Sequence, residues 1–192
     1  TRFAGACFTS GSAGTMSAGD YLKEQYPYSK LAVGEALQCP TLLENGFGGH
    51  RIEGIGDKHV PWVHNVRNTD MVIDIDDEDS QNLPTPFNSE AGHKYLKEVA
   101  GVPEKPIEQL CLLGISGIAN VLCCIKFAKY YELTSNDVVA TVATDSAVMY
   151  ESRIKELDEQ QGKYSMLTAA RDYSEHLHGV RTDNMAELTY AD

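Results

Sequence analysis

The chain has 192 residues, 42% hydrophobic and 23% charged, which is the balance of an ordinary globular protein large enough for one substantial core. Sixteen Lys and Arg stand against 28 Asp and Glu, and the net charge of −12 makes nucleic acid and anionic membranes poor partners. No apolar run approaches the ~20 residues that cross a bilayer. The start, Thr1-Arg2-Phe3, has no methionine and no signal-peptide core, so the expectation is a processed chain or one that begins inside a longer protein.

Phe3 to Phe8 is short, apolar and aromatic, as a buried strand is. A turn of small residues follows, Thr9-Ser10-Gly11-Ser12-Ala13-Gly14. From Thr15 the spacing predicts a helix through Leu22 and Tyr26, stopped by Pro27. Leu31 to Ala36 reads as a second buried strand, which completes a βαβ unit. Asn45 to Gly56 is a glycine-rich loop, and Asp70 to Ile75 is a strand. The acidic run Asp76 to Asp79 suits a helix start, where negative charge is favoured. Leu83 to Pro106, with Pro84, Pro86, Pro103 and Pro106, is expected to be surface loop around a short helix.

Leu110 to Ile115 is expected as an apolar strand leading into Ser116-Gly117. Ile118, Val121, Leu122, Ile125 and Lys129 then recur at helical spacing. Asp137 to Ala143 is β-branched and reads as a strand, and the polar segment after Met149 reads as helical. Strands alternating with helices predict a three-layer α/β sandwich with a mainly parallel sheet. The division expected is an α/β part over residues 1–150 and a C-terminal helical extension over residues 151–192. The five cysteines, Cys7, Cys39, Cys111, Cys123 and Cys124, show no disulfide spacing, and a reducing, cytoplasmic setting fits them. His50, His59 and His64 lie near one another, but no C-x-x-C pair accompanies them and no metal is expected.

The segment Thr9 to Thr15, between a strand and a helix, carries the strongest chemical signal. Small residues let successive backbone N–H groups converge on one cluster of oxygens, and a helix N-terminus adds unpaired donors. Ser12 and Thr15 supply hydroxyls. A phosphate monoester site needs these features, although a plain capped turn has them too. A P-loop lysine, a G-x-G-x-x-G fingerprint and a G-x-S-x-G elbow are all absent. Gly54-Ile55-Gly56 is a second glycine signal, by itself an ordinary turn. In Gly114-Ile115-Ser116-Gly117 the serine is either a helix cap or a hydroxyl offered to a ligand at the sheet edge.

Taken in order, these segments resemble the C-terminal part of the cysteine synthase and cystathionine β-synthase family, the fold-type-II pyridoxal-phosphate (PLP) enzymes. Gly11-Ser12-Ala13-Gly14-Thr15 is similar to the family's Gly-Thr-Gly-Gly-Thr phosphate loop. His50-Arg51-Ile52-Glu53-Gly54-Ile55-Gly56 looks like its Lys-Ile-Gln-Gly-Ile-Gly segment with the preceding histidine. Gly114 to Ile118 resembles Gly-Ile-Ser-Ser-Gly, and Asp145 to Tyr150 resembles Asp-Ser-Gly-Glu-Arg-Tyr. The resemblance runs from Phe3 to Tyr150 with a gap over the proline-rich stretch, and Ala13 and Gly117-Ile118 depart from it.

The resemblance implies part of the large domain of such an enzyme. Gly11, Ser12, Ala13, Gly14 and Thr15 would hold the PLP phosphate, Gly54 and Gly56 would line the cleft, and Ser116 would face the ring nitrogen. It also implies an amino-acid substrate, β-elimination or β-replacement chemistry, and a homodimer. The family's Schiff-base lysine lies upstream of the phosphate loop. Lys23, Lys58 and Lys126 sit on segments unlike the catalytic one. No catalytic residue is therefore expected in this chain, and its partner would be the N-terminal half that carries the lysine. The alternative is an inactive phosphate-binding or partner-binding module.

Overall fold

The structure is a computed structural model describing residues 1–192, apart from the side chains of residues 158, 160 and 161. The chain forms two compact units. The first comprises Thr1–Asp77, Ala119–Val142 and Arg181–Asp192, and the second comprises Glu78–Ile118 and Ala143–Val180.

The first unit is built on a sheet. Strand β1 (Arg2–Thr9) leads through the small-residue turn into helix α1 (Met16–Gln25) and back to β2 (Lys30–Ala36). Strand β3 is Met71–Ile75, and helix α6 (Ile115–Tyr130) enters this unit from the other one and leads to β4 (Asp137–Ala140). The tail adds β5 (Met185–Glu187). The strand order is β4-β1-β2-β3-β5, with every pairing parallel except β3 with β5. The expected α/β class with a mainly parallel sheet is thus found. The strands expected in this unit coincide with β1, β2 and β3 to within a residue or two, and with β4 except that it stops at Ala140, short of Ala143.

The central strands read as continuous apolar runs because both of their faces are covered. Ala6, Phe8, Leu31, Val33 and Val72 pack with Met16 of α1 on one face. On the other face α6 lies so close that a Cβ on Gly34 would come within 2.4 Å of the Cys123 sulfur. Cys123 is fully buried and Cys124 half-buried, as small apolar residues of such a face are. Asn120 of α6 fastens the sheet edge where the site begins. Its Oδ1 accepts the Thr9 N–H at 2.7 Å, and its Nδ2 donates to the Val142 carbonyl at 2.9 Å.

The second unit is helical: α2 (Asp77–Asn82), which starts at the unit boundary, α3 (Pro84–Asn88), α4 (Glu90–Glu98), α5 (Glu104–Gln109), α7 (Glu151–Gln161) and α8 (Met166–Asp172). Two expectations are corrected here. The proline-rich stretch is three helices rather than loop, because Pro84 starts α3 and Pro103 caps α5, positions where a missing N–H costs nothing. Leu110 to Ile115 is a 3-10 turn (Leu110–Leu112) followed by the start of α6, not a strand. Leu112 is exposed and the segment pairs with no strand, so its apolar composition alone did not make it one. Residues 151–192 carry α7, α8 and a π-helical turn (Tyr173–His178), and also the sheet strand β5. Among the described residues no helix is long and apolar enough to cross a membrane.

Candidate phosphate-binding site

Strand β1 ends at Thr9 at the carboxyl edge of the parallel sheet, the edge where open α/β sheets bind ligands. Ser10 stays tied to the neighbouring strand, its N–H donating to the Gly34 carbonyl at 2.9 Å. Beyond it the chain leaves the sheet. Ala13 takes a left-handed conformation, φ 61°, with its methyl group buried among Phe8, Met16 and Leu31. The Met16 N–H then closes the turn on the Ala13 carbonyl at 3.1 Å, and α1 begins. Among the described residues, none of the N–H groups of residues 11–15 meets a protein acceptor. An unbonded N–H row with a left-handed residue inside it, running into a ten-residue helix, is the anion-binding arrangement of backbone amides. Ser12 and Gly14 are exposed, so the row is open to a ligand.

The second glycine signal lies beside the first. The Gly56 N–H donates to the Ser10 carbonyl at 2.9 Å, and a Cβ on Gly11 would sit 3.4 Å from the Gly54 carbonyl oxygen. Gly54 and Gly56 both have strongly positive φ, 87° and 88°. Position 56 tolerates only glycine for a second reason: a Cβ there would lie 2.2 Å from Nε2 of His50. A small cleft is lined by Ser10, Gly11, Glu35, Thr41, Gly56 and Asp57. A larger groove of about 570 Å³, lined by Phe3, Tyr26, Phe127 and Tyr131, lies at the opposite, amino end of β1 and β2, away from the loop.

Glu35 is a site residue that the sequence reading did not single out. It is buried, and its carboxylate accepts the Leu42 N–H at 3.0 and 2.9 Å and the Leu43 N–H at 2.9 Å, holding the chain after β2 against the cleft. Burial pushes its pKa above the ordinary carboxylate value, while these N–H groups oppose the rise. An acidic residue inside an apolar strand, Val33-Gly34-Glu35-Ala36, was the available signal.

Ser116 lies in the second unit, in the first turn of α6, and is buried. Its hydroxyl is 2.6 Å from Oγ1 of Thr144, which in turn donates to Asp145 at 3.2 Å. Asp145 also accepts a hydrogen bond from the Tyr150 hydroxyl. The structure thus brings Gly11 to Thr15 together with Gly54 and Gly56 in one unit and places Ser116 in the other, where its expected role beside the cofactor ring rests on the resemblance alone. Among the described residues no three His, Cys, Asp or Glu side chains come together as a metal site.

The sheet, the open N–H row and the helix behind it define an α/β protein with a candidate anion site at its sheet edge. Comparison with known proteins finds similarity to one group of enzymes. The chain is 29% identical over 143 residues to cysteine synthase B of Campylobacter jejuni, covering 74% of this chain and 40% of that one. A hydrogen sulfide-producing enzyme from Fusobacterium nucleatum superimposes with a TM-score of 0.59 at 25% identity, over 89% of this chain and 45% of the other. The O-acetylserine-dependent cystathionine β-synthase of Helicobacter pylori gives 0.56 at 26% identity, over 78% and 42%. No protein-family model matches. The similarity is to cysteine synthases and related enzymes, the resemblance that the ordered motifs carry. The chain spans less than half the length of these relatives.

Proposed function

We propose that this chain supplies the phosphate cradle of a cysteine-synthase-like PLP enzyme that acts on amino acids by β-elimination or β-replacement. The observation that carries this reading is the row of unbonded N–H groups over residues 11–15 at the N-terminus of α1, in a chain related to cysteine synthases. The residues fit a phosphate monoester. The backbone amides supply neutral donors, the Ser12 and Thr15 hydroxyls add two more, and no acidic side chain lies within the loop itself. Bound there, PLP would supply the electron sink for bond cleavage next to the α-carbon of an amino acid.

The chain's own part in that chemistry is positional. The dipole of α1 and the amides of residues 11–15 would fix the phosphate. Gly54 and Gly56, without side chains, would leave the cleft wall open beside it, and Asn120 would keep the end of β1 in place. The family's cofactor-bearing lysine has no matching position here, so turnover is proposed to need the portion of the family fold that carries it. A cytoplasmic setting is proposed with it, and the cysteines are all free thiols.

Gly14 provides the test. A side chain there meets nothing within 4 Å, and its φ is not positive, so Gly14→Asp should fold normally while putting a carboxylate among the donors. Calorimetric titration with inorganic phosphate and with PLP should show saturable binding to the native chain, competition between the two, and a loss of about tenfold or more in Gly14→Asp, the factor expected from ~1.4 kcal/mol of like-charge repulsion. Equal binding by the variant would remove the loop as the site.

A further inference from the structure

We propose that Glu35 and Asp74 share a single proton across the β2–β3 pair, and that this pair is a pH-sensitive anchor positioning the chain after β2 beside the phosphate loop. The inference rests on the proposed function only for the identity of that neighbouring site. Glu35 and Asp74 are direct partners in the parallel register, so their side chains leave the same face of the sheet. They are 3% and 1% exposed. Neither oxygen of the Asp74 carboxyl meets a donor from any other residue. Two ionised carboxylates cannot share a buried site without a donor between them, and a proton on Asp74 resolves both deficits by bonding to Glu35. Glu35 is then free to stay ionised and accept the Leu42 and Leu43 N–H groups, the geometry in which it is found.

The groups facing the pair set the direction of the effect. Burial comes first, then the Glu35 charge, and together they push the Asp74 carboxyl up to about 8. Glu44, from the segment after β2, adds negative charge. From α6, Lys126 opposes them: its ammonium is 5% exposed, donates to the Asp74 carbonyl at 2.8 Å, and is itself paired with Asp183 at 3.6 Å. Cys123, the other α6 side chain near Asp74, is held as the neutral thiol by burial. This cation is thus shared, and it does not cancel the two carboxylates. Loss of the proton places two like charges in contact inside the sheet. The relief available is for Glu35 to leave Leu42 and Leu43, which frees the cleft wall that carries Thr41.

The closing experiment reads the proton and the anchor directly, with no cofactor present, so its failure is separable from failure of phosphate binding. Infrared difference spectra of the native chain between pH 6 and pH 10 should contain a carboxylic-acid C=O band that is present at pH 7, lost above pH 8, and missing in Asp74→Asn. Amide exchange at Leu42 and Leu43, followed by NMR, should gain up to about tenfold per pH unit beyond the acceleration of unprotected amides as pH rises toward 8, and the gain should level off above it. Asp74→Asn, whose amide can donate to Glu35 at every pH, should abolish that excess, and Glu35→Gln should leave both amides fast throughout. No acid band at pH 7, or the same exchange profile in Asp74→Asn as in the native chain, would overturn the proposal. Should Asp74→Asn fail to fold, the band in the native chain labelled with ¹³C-carboxyl aspartate decides it alone.

Discussion

Asp74 has a consequence for stability as well as for position. In the unfolded chain it titrates as an ordinary carboxyl, near 3.8, and in the fold near 8. Between these values the folded state binds the extra proton, so stability falls as pH rises through the window from about 4 to about 8 and is level beyond it. Asp74→Asn should therefore be equal to the native chain near pH 4 and more stable than it at pH 8, with the difference growing across the window. Urea denaturation at several pH values measures this, and a difference independent of pH would contradict it. At Gly56 the strain is steric. Gly56→Ala forces a side chain into positive φ and against His50, and should cost about 2–5 kcal/mol in the same assay. Ala13 already lives in the left-handed region. Ala13→Gly relieves roughly 1 kcal/mol of backbone cost and gives up a buried methyl worth ~0.8 kcal/mol, so stability should stay nearly unchanged with phosphate binding retained.

The decisive link among the elements is between β1 and α6. A helix and two strand ends meet at one amide side chain, Asn120, which satisfies the Thr9 N–H and the Val142 carbonyl. Asn120→Ala would leave the buried Thr9 N–H and the part-buried Val142 carbonyl unpaired and should cost about 2–4 kcal/mol. Asn120→Asp keeps an acceptor for Thr9 but loses the donor to Val142, and should fall between the two. Because the proposed phosphate loop starts two residues after Thr9, the Ala variant should also weaken phosphate binding, measurable by calorimetry at a temperature where the protein remains folded. The tail makes a similar point. Strand β5 adds to β3 antiparallel, and its Glu187 collects Lys30 at 3.1 Å and the Tyr131 hydroxyl at 2.8 Å, so a segment that reads as polar extension closes one edge of the sheet.

For the molecule as a whole, the charge of −12 sets how an anion is met. The proposed cradle would work through neutral amides and a helix end, in a chain whose overall field repels phosphate. Binding of inorganic phosphate should therefore strengthen modestly as inert salt rises from about 20 to 200 mM, since screening weakens the repulsion more than the short-range hydrogen bonds. A site made of lysines and arginines would show the opposite slope. The relatives' greater length sets the other expectation: this chain alone should show no β-replacement activity, and adding a polypeptide with the family's lysine-bearing portion is the measurement that would restore it.

Local spacing and local chemistry made much of this protein legible. The apolar runs of β1, β2 and β3 and the helical period of α6 could be seen because parallel strands buried on both faces and amphipathic helices each leave a short-range pattern. The small residues from Gly11 to Thr15 marked the cradle because close approach of backbone to an anion excludes side chains. Apolar composition misled where it was the only guide: the segment from Leu110, with Leu112 exposed, had no strand to pair with, and the prolines fell at helix starts instead of breaking helices. What the sequence by itself determined was the parallel α/β class, the family resemblance and the small-residue turn proposed as the phosphate loop, all written in contiguous residues. Only the tertiary structure decided that Gly56 braces Ser10, that Asn120 holds Thr9, and that Glu35 stands beside an unpartnered Asp74. These pairings join residues 39 to 111 positions apart, and whether a carboxyl is charged or a glycine indispensable depends on what folding brings against it.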